Sequence, residues 1–333
     1  MKNLPVHLRL LALEAGSPKI VSEINVDFFG VIIQIPIMKI TNRHNAPSAI
    51  VNNVMNDEYS RGDSDISVTQ LLTSPRIVLL QRVNEDNMET DVVDRIPSML
   101  GTAMHKVLEK GANPGEIVEE RFFYTILGVK VSGAVDLQIP KEDGTWEIND
   151  YKLTSVYSVM ADKWEWVAQL NMYAYLMRAA TGRRATTLKI VAILKDWSRK
   201  QGEFKPDYPQ APLVMVDVEV WSDEKQEAYI QERVRLHDSN AKSLDNGGPI
   251  DDCTDDERWL RGEKFAVMKK GRKSAVKLFD NKDDADDWVR EQGDEALTVE
   301  HRPGDPVRCA GDYCGVSRWC RQWITEQAGS SAG

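Results

Sequence analysis

The sequence has no hydrophobic run long enough to cross a membrane as a helix. A spanning helix needs about 18 consecutive apolar residues, and the longest apolar stretch, residues 28–38, is interrupted by Gly30, Gln34 and Pro36. The N-terminus has little charge before its apolar part and no small-residue cleavage site, which argues against a secretory signal. We therefore expect no membrane anchor and a cytoplasmic location.

Positively charged residues are also fewer than negatively charged ones. The chain has 42 Lys and Arg against 52 Asp and Glu, a net charge of −10, which excludes a surface covered in basic residues but permits a local basic groove. No Gly-x4-Gly-Lys-Ser/Thr loop is present, so ATP use is not expected and any helicase motor would be a partner. Apolar residues at 42% and charged residues at 28% are typical of a folded protein.

Cysteine is rare and confined to the last quarter of the chain. The four cysteines are Cys253, Cys309, Cys314 and Cys320. Such clustering in a cytosolic protein favours a metal or cluster site over disulfides. Four thiolates suit either tetrahedral zinc or a [4Fe–4S] cluster. Small apolar packing and unrelated free thiols are the alternatives.

The apolar pattern predicts alternating helices and strands. Ser67 and Gln70 form a capping box that predicts a helix start, and the apolar spacing over residues 100–108 predicts a helix with His105 at the flank of its buried face. Residues rich in β-branched and aromatic side chains predict a three-stranded meander. Its strands are residues 117–128, 129–140 and 146–153.

Further elements follow toward the C-terminus. The remaining predicted elements are a helix at 159–180, strands at 186–197 and 213–221, a helix at 223–244, and a small β-β-α-β insertion at about 263–302. Together they predict an α/β or α+β layered fold.

Breaks in the pattern divide the chain into four expected segments. These are 1–37, an N-terminal arm or a non-native extension before a true start at Met38; 38–250, the core; 251–325, a cysteine-ligated region carrying the insertion; and 326–333, a disordered tail. The two interpretations of residues 1–37 remain open.

Two acids and a lysine carry the expected chemistry. Asp136 ends one predicted strand, and Asp150 and Lys152 share one face of the next because strand side chains alternate. Two aspartates and a backbone carbonyl can bind a hard divalent cation, and the lysine can position the attacking water. This is the equipment for metal-assisted phosphodiester hydrolysis; the alternative is a turn-flanking Asp and an exposed Asp–Lys pair.

Four motifs in a fixed order strengthen this interpretation. They are Gly101-Thr-Ala-Met-His105, Gly133-Ala-Val-Asp136, Asp150-Tyr-Lys152 and Gln169-Leu-Asn-Met-Tyr173. On a helix, two strands and a helix, they resemble the PD-(D/E)xK nuclease superfamily, most closely its RecB-like branch of RecB and AddB nuclease domains, CRISPR-adaptation exonucleases and phage exonucleases. The resemblance covers about residues 67–221 and implies a restriction-endonuclease-like central mixed sheet flanked by helices.

The resemblance also implies a metal site. Asp136 and Asp150 would bind Mg²⁺ or Mn²⁺ together with the backbone carbonyl of Tyr151. His105 would complete the coordination.

Further roles carry over to residues around that site. Lys152 would orient the nucleophilic water, and Gln169 and Tyr173 would support the lysine and contact DNA. The family often carries another acid at the position of Glu120, and the adjacent Glu119 leaves the choice between the two open.

The cysteines resemble those of iron–sulfur members of the same branch, which implies a [4Fe–4S] cluster with zinc as the alternative. The spacing differs, because Cys309 and Cys314 are separated by four residues instead of two. Cys253 also follows the nuclease motifs instead of preceding them.

A basic turn adds a candidate DNA contact. Its residues are Lys269, Lys270, Arg272 and Lys273; the alternative is a solvated turn.

The sequence as a whole predicts a metal-dependent DNA nuclease, an exonuclease of recombination, replication or end processing that works with a recombination or helicase partner. A structure-specific endonuclease and a catalytically silent DNA-binding scaffold are the alternatives, and the oligomeric state is not determined.

Overall fold

The computed structural model describes residues 21–28, 31–56, 62–161 and 163–330, with side chains from residue 39 to residue 329. Its contacts divide the chain into two compact units. The first unit comprises Met1–Thr73 and Arg82–Gly248, and the second comprises Ser74–Gln81 and Pro249–Gly333. No described helix is both long enough and apolar enough to cross a membrane.

The helices and strands follow one another along the chain in a mixed order. The α-helices are α1 (Ser48–Met55), α2 (Val68–Leu72), α3 (Pro75–Asn84), α4 (Ile96–Glu109), α5 (Val156–Met160), α6 (Trp164–Thr181), α7 (Arg199–Phe204), α8 (Asp223–Asp245), α9 (Lys282–Gln292), α10 (Val307–Ala310) and α11 (Arg321–Ser330). The strands are β1 (Val21–Phe28), β2 (Val31–Thr41), β3 (Ile66–Ser67), β4 (Glu89–Asp91), β5 (Ile117–Ile126), β6 (Val129–Pro140), β7 (Trp146–Thr154), β8 (Ala185–Leu194), β9 (Leu213–Val218), β10 (Leu260–Arg261), β11 (Lys264–Lys269), β12 (Lys277–Phe279), β13 (Leu297–Arg302) and β14 (Asp305–Pro306).

A six-stranded mixed sheet forms the centre of the first unit. The strand order is β3-β6-β7-β8-β9, and β5 pairs with β6. The pairs β5–β6, β6–β7 and β8–β9 are antiparallel, whereas β3–β6 and β7–β8 are parallel. The predicted α/β class and central mixed sheet are confirmed, and the meander β5–β6–β7 is part of that sheet.

Strands β6 and β7 of the meander separate after a short paired stretch. Strand β7 pairs with β6 from Pro140↔Trp146 to Leu137↔Asn149 and no further. On the same edge of β6, strand β3 pairs at Val131 and Ser132. The described part of the sheet therefore has no ladder partner for residues 133–136 on this edge, which leaves a gap between β6 and β7.

Helix α6 forms the centre of the hydrophobic core. Every residue from Ala168 to Met177 is buried, and the helix packs against β5, β6, β8, α2 and α8. A helix covered on so many sides needs no polar face, so its apolar residues are spread around the axis and its buried polar residues, Gln169 and Asn171, are hydrogen-bonded. Gly133 of β6 allows a close approach, because a Cβ there would lie 2.8 Å from the ring of Tyr173.

Several predicted boundaries differ from the observed ones. The capping box of Ser67 and Gln70 is present at the start of α2. The single helix predicted over residues 159–180 is two helices, α5 and α6, and α6 ends at Gly182 in the left-handed conformation with φ 76°. Strand β8 stops at Leu194, and the nearby Asp196 instead accepts a hydrogen bond from the Val156 amide at the start of α5.

The N-terminal strands form a separate small sheet within the first unit. Strands β1 and β2 are antiparallel, and the end of β2 pairs in parallel with β4. Met38 therefore lies inside a strand, and the expected boundary at residue 37 falls in the middle of β2. Residues 1–20 lie outside the described part of the chain.

The second unit contains the predicted insertion. Its sheet has the order β12-β11-β13, and α9 lies between β12 and β13 in sequence. This confirms the β-β-α-β module. Helix α11 runs to Ser330, where the sequence suggested a disordered tail from residue 326; its Gln, Glu and Ala residues favour a helix.

Residues 74–81 belong to the second unit, although the sequence placed them in the core. The buried Arg76 donates hydrogen bonds to the backbone carbonyls of Ile250 and Asp251, at 2.6 and 2.9 Å. Ile77 packs with Cys314 and Val316. These contacts join residues far apart in sequence, so no local pattern could indicate them.

We predict an acid-sensitive contribution from His237 of α8. Its Nε2 lies 3.1 Å from the carbonyl of Thr73, and burial, with the nearby Arg233 charge, lowers the pKa of His237 to about 4. Because the unfolded chain binds this proton near pH 6.5, stability should fall as the pH drops from 6.5 toward 4, by on the order of 3 kcal/mol.

The variant His237→Gln should flatten the dependence of unfolding free energy on pH in that window. Urea denaturation from pH 7 to pH 4 measures it, with His301→Gln, an exposed histidine, as the matched control. Equal pH slopes for wild type and His237→Gln would contradict the prediction.

Candidate active site

One cleft of the first unit brings together six of the residues predicted for catalysis. It has a volume of about 380 Å³. These six are His105, Asp136, Asp150, Lys152, Gln169 and Tyr173, and other residues complete the lining. They come from α4, β6, β7 and α6, so tertiary folding assembles what the sequence holds in four separate motifs.

The gap between β6 and β7 positions the two aspartates. Pairing ends at Leu137↔Asn149, and these two residues are the immediate neighbours of Asp136 on β6 and of Asp150 on β7. The Tyr151 amide, which has lost its ladder partner, donates to Oδ2 of Asp136 at 2.7 Å. Both aspartates are buried, and the gap thus turns two carboxylates toward one space.

Asp150 and Lys152 form a close ion pair. The Lys152 ammonium lies 2.6 Å from Oδ2 of Asp150, although this contact lacks the angles of a hydrogen bond and the buried Oδ2 accepts none. A buried carboxylate oxygen without a donor is costly. A bound cation would remove that cost, so the oxygen fits a metal ligand.

His105 is held between acceptors. Its Nε2 lies 3.2 Å from the Tyr151 carbonyl and its Nδ1 lies 3.2 Å from Oε1 of Glu119. Nδ1 is also 3.5 Å from Oδ1 of Asp136. The hydrogen bond to Glu119, followed by the charges of Asp136, Glu119 and Asp150, raises the pKa of His105 despite its burial.

The structure distinguishes Glu119 from Glu120. Glu120 is bound by Arg183 at 2.7 Å and by Gln138 at 2.8 Å, away from His105. Glu119 faces His105 because its backbone is left-handed, with φ 50°, and strand pairing lapses at this position. Such a conformation is uncommon for a residue other than glycine and concentrates at functional sites.

Several acidic groups lie close together in the cleft. Burial and the neighbouring Asp150 charge raise the pKa of Asp136 to about 7. Ligand atoms of His105, Glu119 and Asp136 all lie within 4.8 Å of one another. Carboxylate, carbonyl and imidazole donors at this spacing suit a divalent cation such as Mn²⁺ or Mg²⁺. The residues present therefore fit a metal.

Gln169 and Tyr173 lie four residues apart on one face of α6. The Gln169 amide donates to the Tyr173 hydroxyl at 2.9 Å, and both side chains are buried. This places a polar pair on the wall of the cleft, directly behind Gly133.

The four cysteines gather in the second unit. All are free thiols, and Cys314 and Cys320 are buried. Cys253 packs against the cluster that contains Cys314, and burial, with the nearby Glu257 charge and Cys320, raises the pKa of Cys253 to about 11. The Cys309 pKa is likewise raised by burial and by Cys314 and Cys320. In the described part of the chain no three of these sulfurs come within 4.8 Å of one another.

The basic turn also belongs to the second unit. Lys269 pairs with Asp294 at 2.9 Å. Lys270, Arg272 and Lys273 are exposed. The turn is accessible to an anion, and DNA contact there remains a prediction.

Comparison with solved structures gives only slight similarity. A crystal structure named SSO0001 is 16% identical with a TM-score of 0.40, over 57% of this chain and 83% of that chain. A protein from Eubacterium rectale named "Putative exonuclease" is 15% identical with a TM-score of 0.27, over 61% of this chain and 76% of that chain. No curated protein matches the sequence.

The sequence model of a protein family matches most of the chain. Residues 94–321 match the sequence model of the PD-(D/E)XK nuclease superfamily. The match covers more than half of the 333 residues and includes every residue of the cleft discussed above. The chain therefore belongs to the PD-(D/E)XK nuclease superfamily.

Proposed function

We propose that this protein is a metal-dependent deoxyribonuclease of the RecB-like branch that acts as an exonuclease on DNA ends. PD-(D/E)XK nucleases use divalent metals. The observation that supports the proposal is the convergence of Asp136, Asp150, Lys152 and His105 at the gap between β6 and β7. The pair Gln169–Tyr173 on the same wall matches the RecB-like motif order.

The acids and His105 of the cleft would hold the metal. Asp136, Asp150, the Tyr151 carbonyl and His105 supply candidate ligands, and Glu119 joins them because its carboxylate reaches His105. When bound, a divalent metal lowers the pKa of a water and stabilises charge on the phosphoryl oxygens.

Lys152 and the Gln169–Tyr173 pair of α6 have different roles. Lys152 approaches from the Asp150 side and orients the attacking water with its ammonium protons, which also attract the phosphate oxygens. The pair formed by Gln169 and Tyr173 limits the space in which the phosphodiester and Lys152 can move. Lys152 is held by its ion pair with Asp150, and Gln169 and Tyr173 are held by burial and by their hydrogen bond.

Divalent-metal-dependent loss of linear DNA, with closed circular DNA spared, is the expected result. An exonuclease needs a strand end, whereas an endonuclease would open the circle. Cutting of circles would favour a structure-specific endonuclease, and the absence of any cleavage with Mg²⁺ or Mn²⁺ would favour a DNA-binding scaffold.

We predict that Asp150→Asn lowers the cleavage rate by more than about 100-fold, beyond the usual range for groups that only support a metal site. Asparagine keeps the side-chain volume but removes the charge at a buried ligand position, so circular dichroism should show an intact fold. The matched control is Asp207→Asn, an exposed aspartate outside the cleft. Cleavage at the wild-type rate in purified Asp150→Asn would overturn the site assignment.

Substitutions of the two adjacent glutamates should affect different properties: metal dependence for Glu119 and stability for Glu120. Glu119→Gln should raise the Mn²⁺ concentration needed for half-maximal activity, because a carboxylate leaves the group around His105. Glu120→Gln should lower the melting temperature, because it weakens the contacts with Arg183 and Gln138, and should leave the metal dependence unchanged. Metal titrations and thermal melts of both variants test this, and an exchange of the two outcomes would contradict the structure.

We further propose that the four cysteines bind a [4Fe–4S] cluster. The supporting observations are that they gather in one unit as free thiols and that each has another of the set as a neighbour. A tetrahedral zinc with Zn–S bonds of about 2.3 Å would hold sulfurs about 3.8 Å apart, closer than this arrangement. The larger cluster suits the wider spacing.

Anaerobically purified protein should be brown, with about four irons per chain. Cys253→Ser should lose the colour and lower the melting temperature, since metal bonds form only in the folded state. The control is Ser74→Ala, whose hydroxyl is 3.2 Å from the Cys253 sulfur but offers no thiolate. Colourless protein with one zinc, or metal-free protein of unchanged stability, would each exclude the cluster.

A further inference from the structure

The catalytic cleft also contains an arginine. Arg121 of β5 lines the cleft and is half-buried. It lies opposite Ala134 of β6 in the antiparallel register. Paired residues of antiparallel strands lie on one face of the sheet, and residues two apart on a strand share that face. Arg121 therefore lies on the same face as Asp136, which is two residues beyond Ala134.

The guanidinium of Arg121 has no acceptor. Among the described residues it makes no hydrogen bond, ion pair or ring contact. Its hydrocarbon stem lies beside Gly62, where a Cβ would be 3.5 Å from Cδ of Arg121. A half-buried charge without an acceptor costs solvation free energy. An anion bound in the cleft would remove this cost.

The other basic groups of the cleft are placed differently. Lys152 pairs with Asp150 at 2.6 Å. His105 lies 3.2 Å from the Glu119 carboxylate. Lys106 is exposed, so water solvates its ammonium. Arg121 is thus the partly buried cation of the cleft that lacks a partner in the described part of the chain. The charged and titratable residues of the lining are His105, Lys106, Glu109, Glu119, Arg121, Asp136, Asp150, Lys152 and Tyr173.

The acids nearest to Arg121 along the sheet have other partners. Glu119 is two residues away on β5, where a regular strand would place both side chains on one face. The left-handed backbone of Glu119, with φ 50°, turns its carboxylate toward Nδ1 of His105 instead. Asp136 accepts the Tyr151 amide at 2.7 Å. The backbone conformation that brings Glu119 to His105 therefore leaves the guanidinium available for a ligand.

The chemistry and the position of Arg121 suit a phosphodiester. A guanidinium presents its N–H donors in a planar fork that matches two phosphate oxygens. Two residues of a strand span about 7 Å, which separates the positions of Arg121 and Asp136 along the sheet. Neighbouring phosphates of a nucleic-acid strand are about as far apart as two strand residues span. A strand with one phosphate at the aspartates can therefore place the next one at Arg121.

We propose that Arg121 binds the phosphate next to the scissile phosphodiester and thereby fixes which linkage reaches the metal. The proposal rests on the proposed nuclease function and adds a substrate contact to it. Phosphate contacts set the position of a strand without reading its sequence. Arg121 is accordingly a substrate-binding residue, whereas the aspartates and Lys152 act at the bond that breaks.

Binding of fluorescein-labelled DNA in EDTA tests the contact without cleavage, with the single-stranded or duplex form that wild type binds more tightly. Arg121→Met keeps most of the stem and removes the charge. It should weaken binding about tenfold or more, as for loss of a hydrogen bond to a charged group, and lower the slope of log K against log salt by about 0.7 to 0.9. Arg121→Lys should recover part of the affinity, because it keeps the charge but not the fork.

The matched control is Arg235→Met, the same substitution at an exposed arginine of α8 outside the cleft. It should bind DNA as wild type does. Arg121→Met should also melt at the wild-type temperature, because its guanidinium has no protein partner to lose.

A neutral linkage locates the contact along the strand. One methylphosphonate, which carries no negative charge, is placed at successive linkages of the substrate. With Mn²⁺, wild-type kcat/KM should fall when the neutral linkage is one of the two neighbours of the cleaved linkage. Arg121→Met should be insensitive to that replacement, as in a double-mutant cycle, and its own defect should lie in KM more than in kcat.

Wild-type affinity and salt slope in Arg121→Met would overturn the phosphate contact, while cleavage of linear DNA by that variant would leave the nuclease assignment intact. Equal sensitivity of wild type and Arg121→Met at both neighbouring linkages would overturn the assignment to the adjacent phosphate. A lower melting temperature with unchanged affinity would give Arg121 a structural role instead. Binding that depends on Arg121 without any cleavage by Mg²⁺ or Mn²⁺ would support the contact and overturn the nuclease proposal.

Discussion

The local separation of strands β6 and β7 is the constraint on which the site depends. Four residue pairs hold the strands together at one end. Beyond them the Tyr151 amide is satisfied by the Asp136 carboxylate at 2.7 Å instead of by a strand carbonyl. A buried backbone amide needs an acceptor, so one hydrogen bond both ends the ladder and orients a candidate metal ligand. The Tyr151 carbonyl is likewise available to His105 at 3.2 Å.

The packing around β6 explains why this gap remains structured. On the other edge, β5 pairs with β6 along almost its whole length, and α6 covers the sheet with a fully buried run. Gly133 lets the Tyr173 ring lie against β6 at a distance that a Cβ would forbid. The sheet can lose part of one ladder because the neighbouring strand and helix supply the compensating contacts.

Charge is distributed unevenly around the cleft of the first unit. Glu120 is neutralised by Arg183, whose guanidinium also lies over the rings of Phe122 and Trp146. Glu119, one residue earlier, faces the cleft, and its Oε1 lies 3.2 Å from Nδ1 of His105. Two adjacent acids of β5 thus have different electrostatic surroundings.

The sequence by itself indicated the fold class, the three-stranded meander, the β-β-α-β module and, through motifs that resemble a nuclease family, the six residues that share the candidate cleft, because each depends on local periodicity or on a short motif. It did not distinguish Glu119 from Glu120, since the choice depends on a left-handed backbone and on Arg183 more than sixty residues away. It could not place residues 74–81 with the second unit, because Arg76 contacts carbonyls about 175 residues later. Only the tertiary structure decided these points, because a contact between distant residues leaves no periodic signal in the chain.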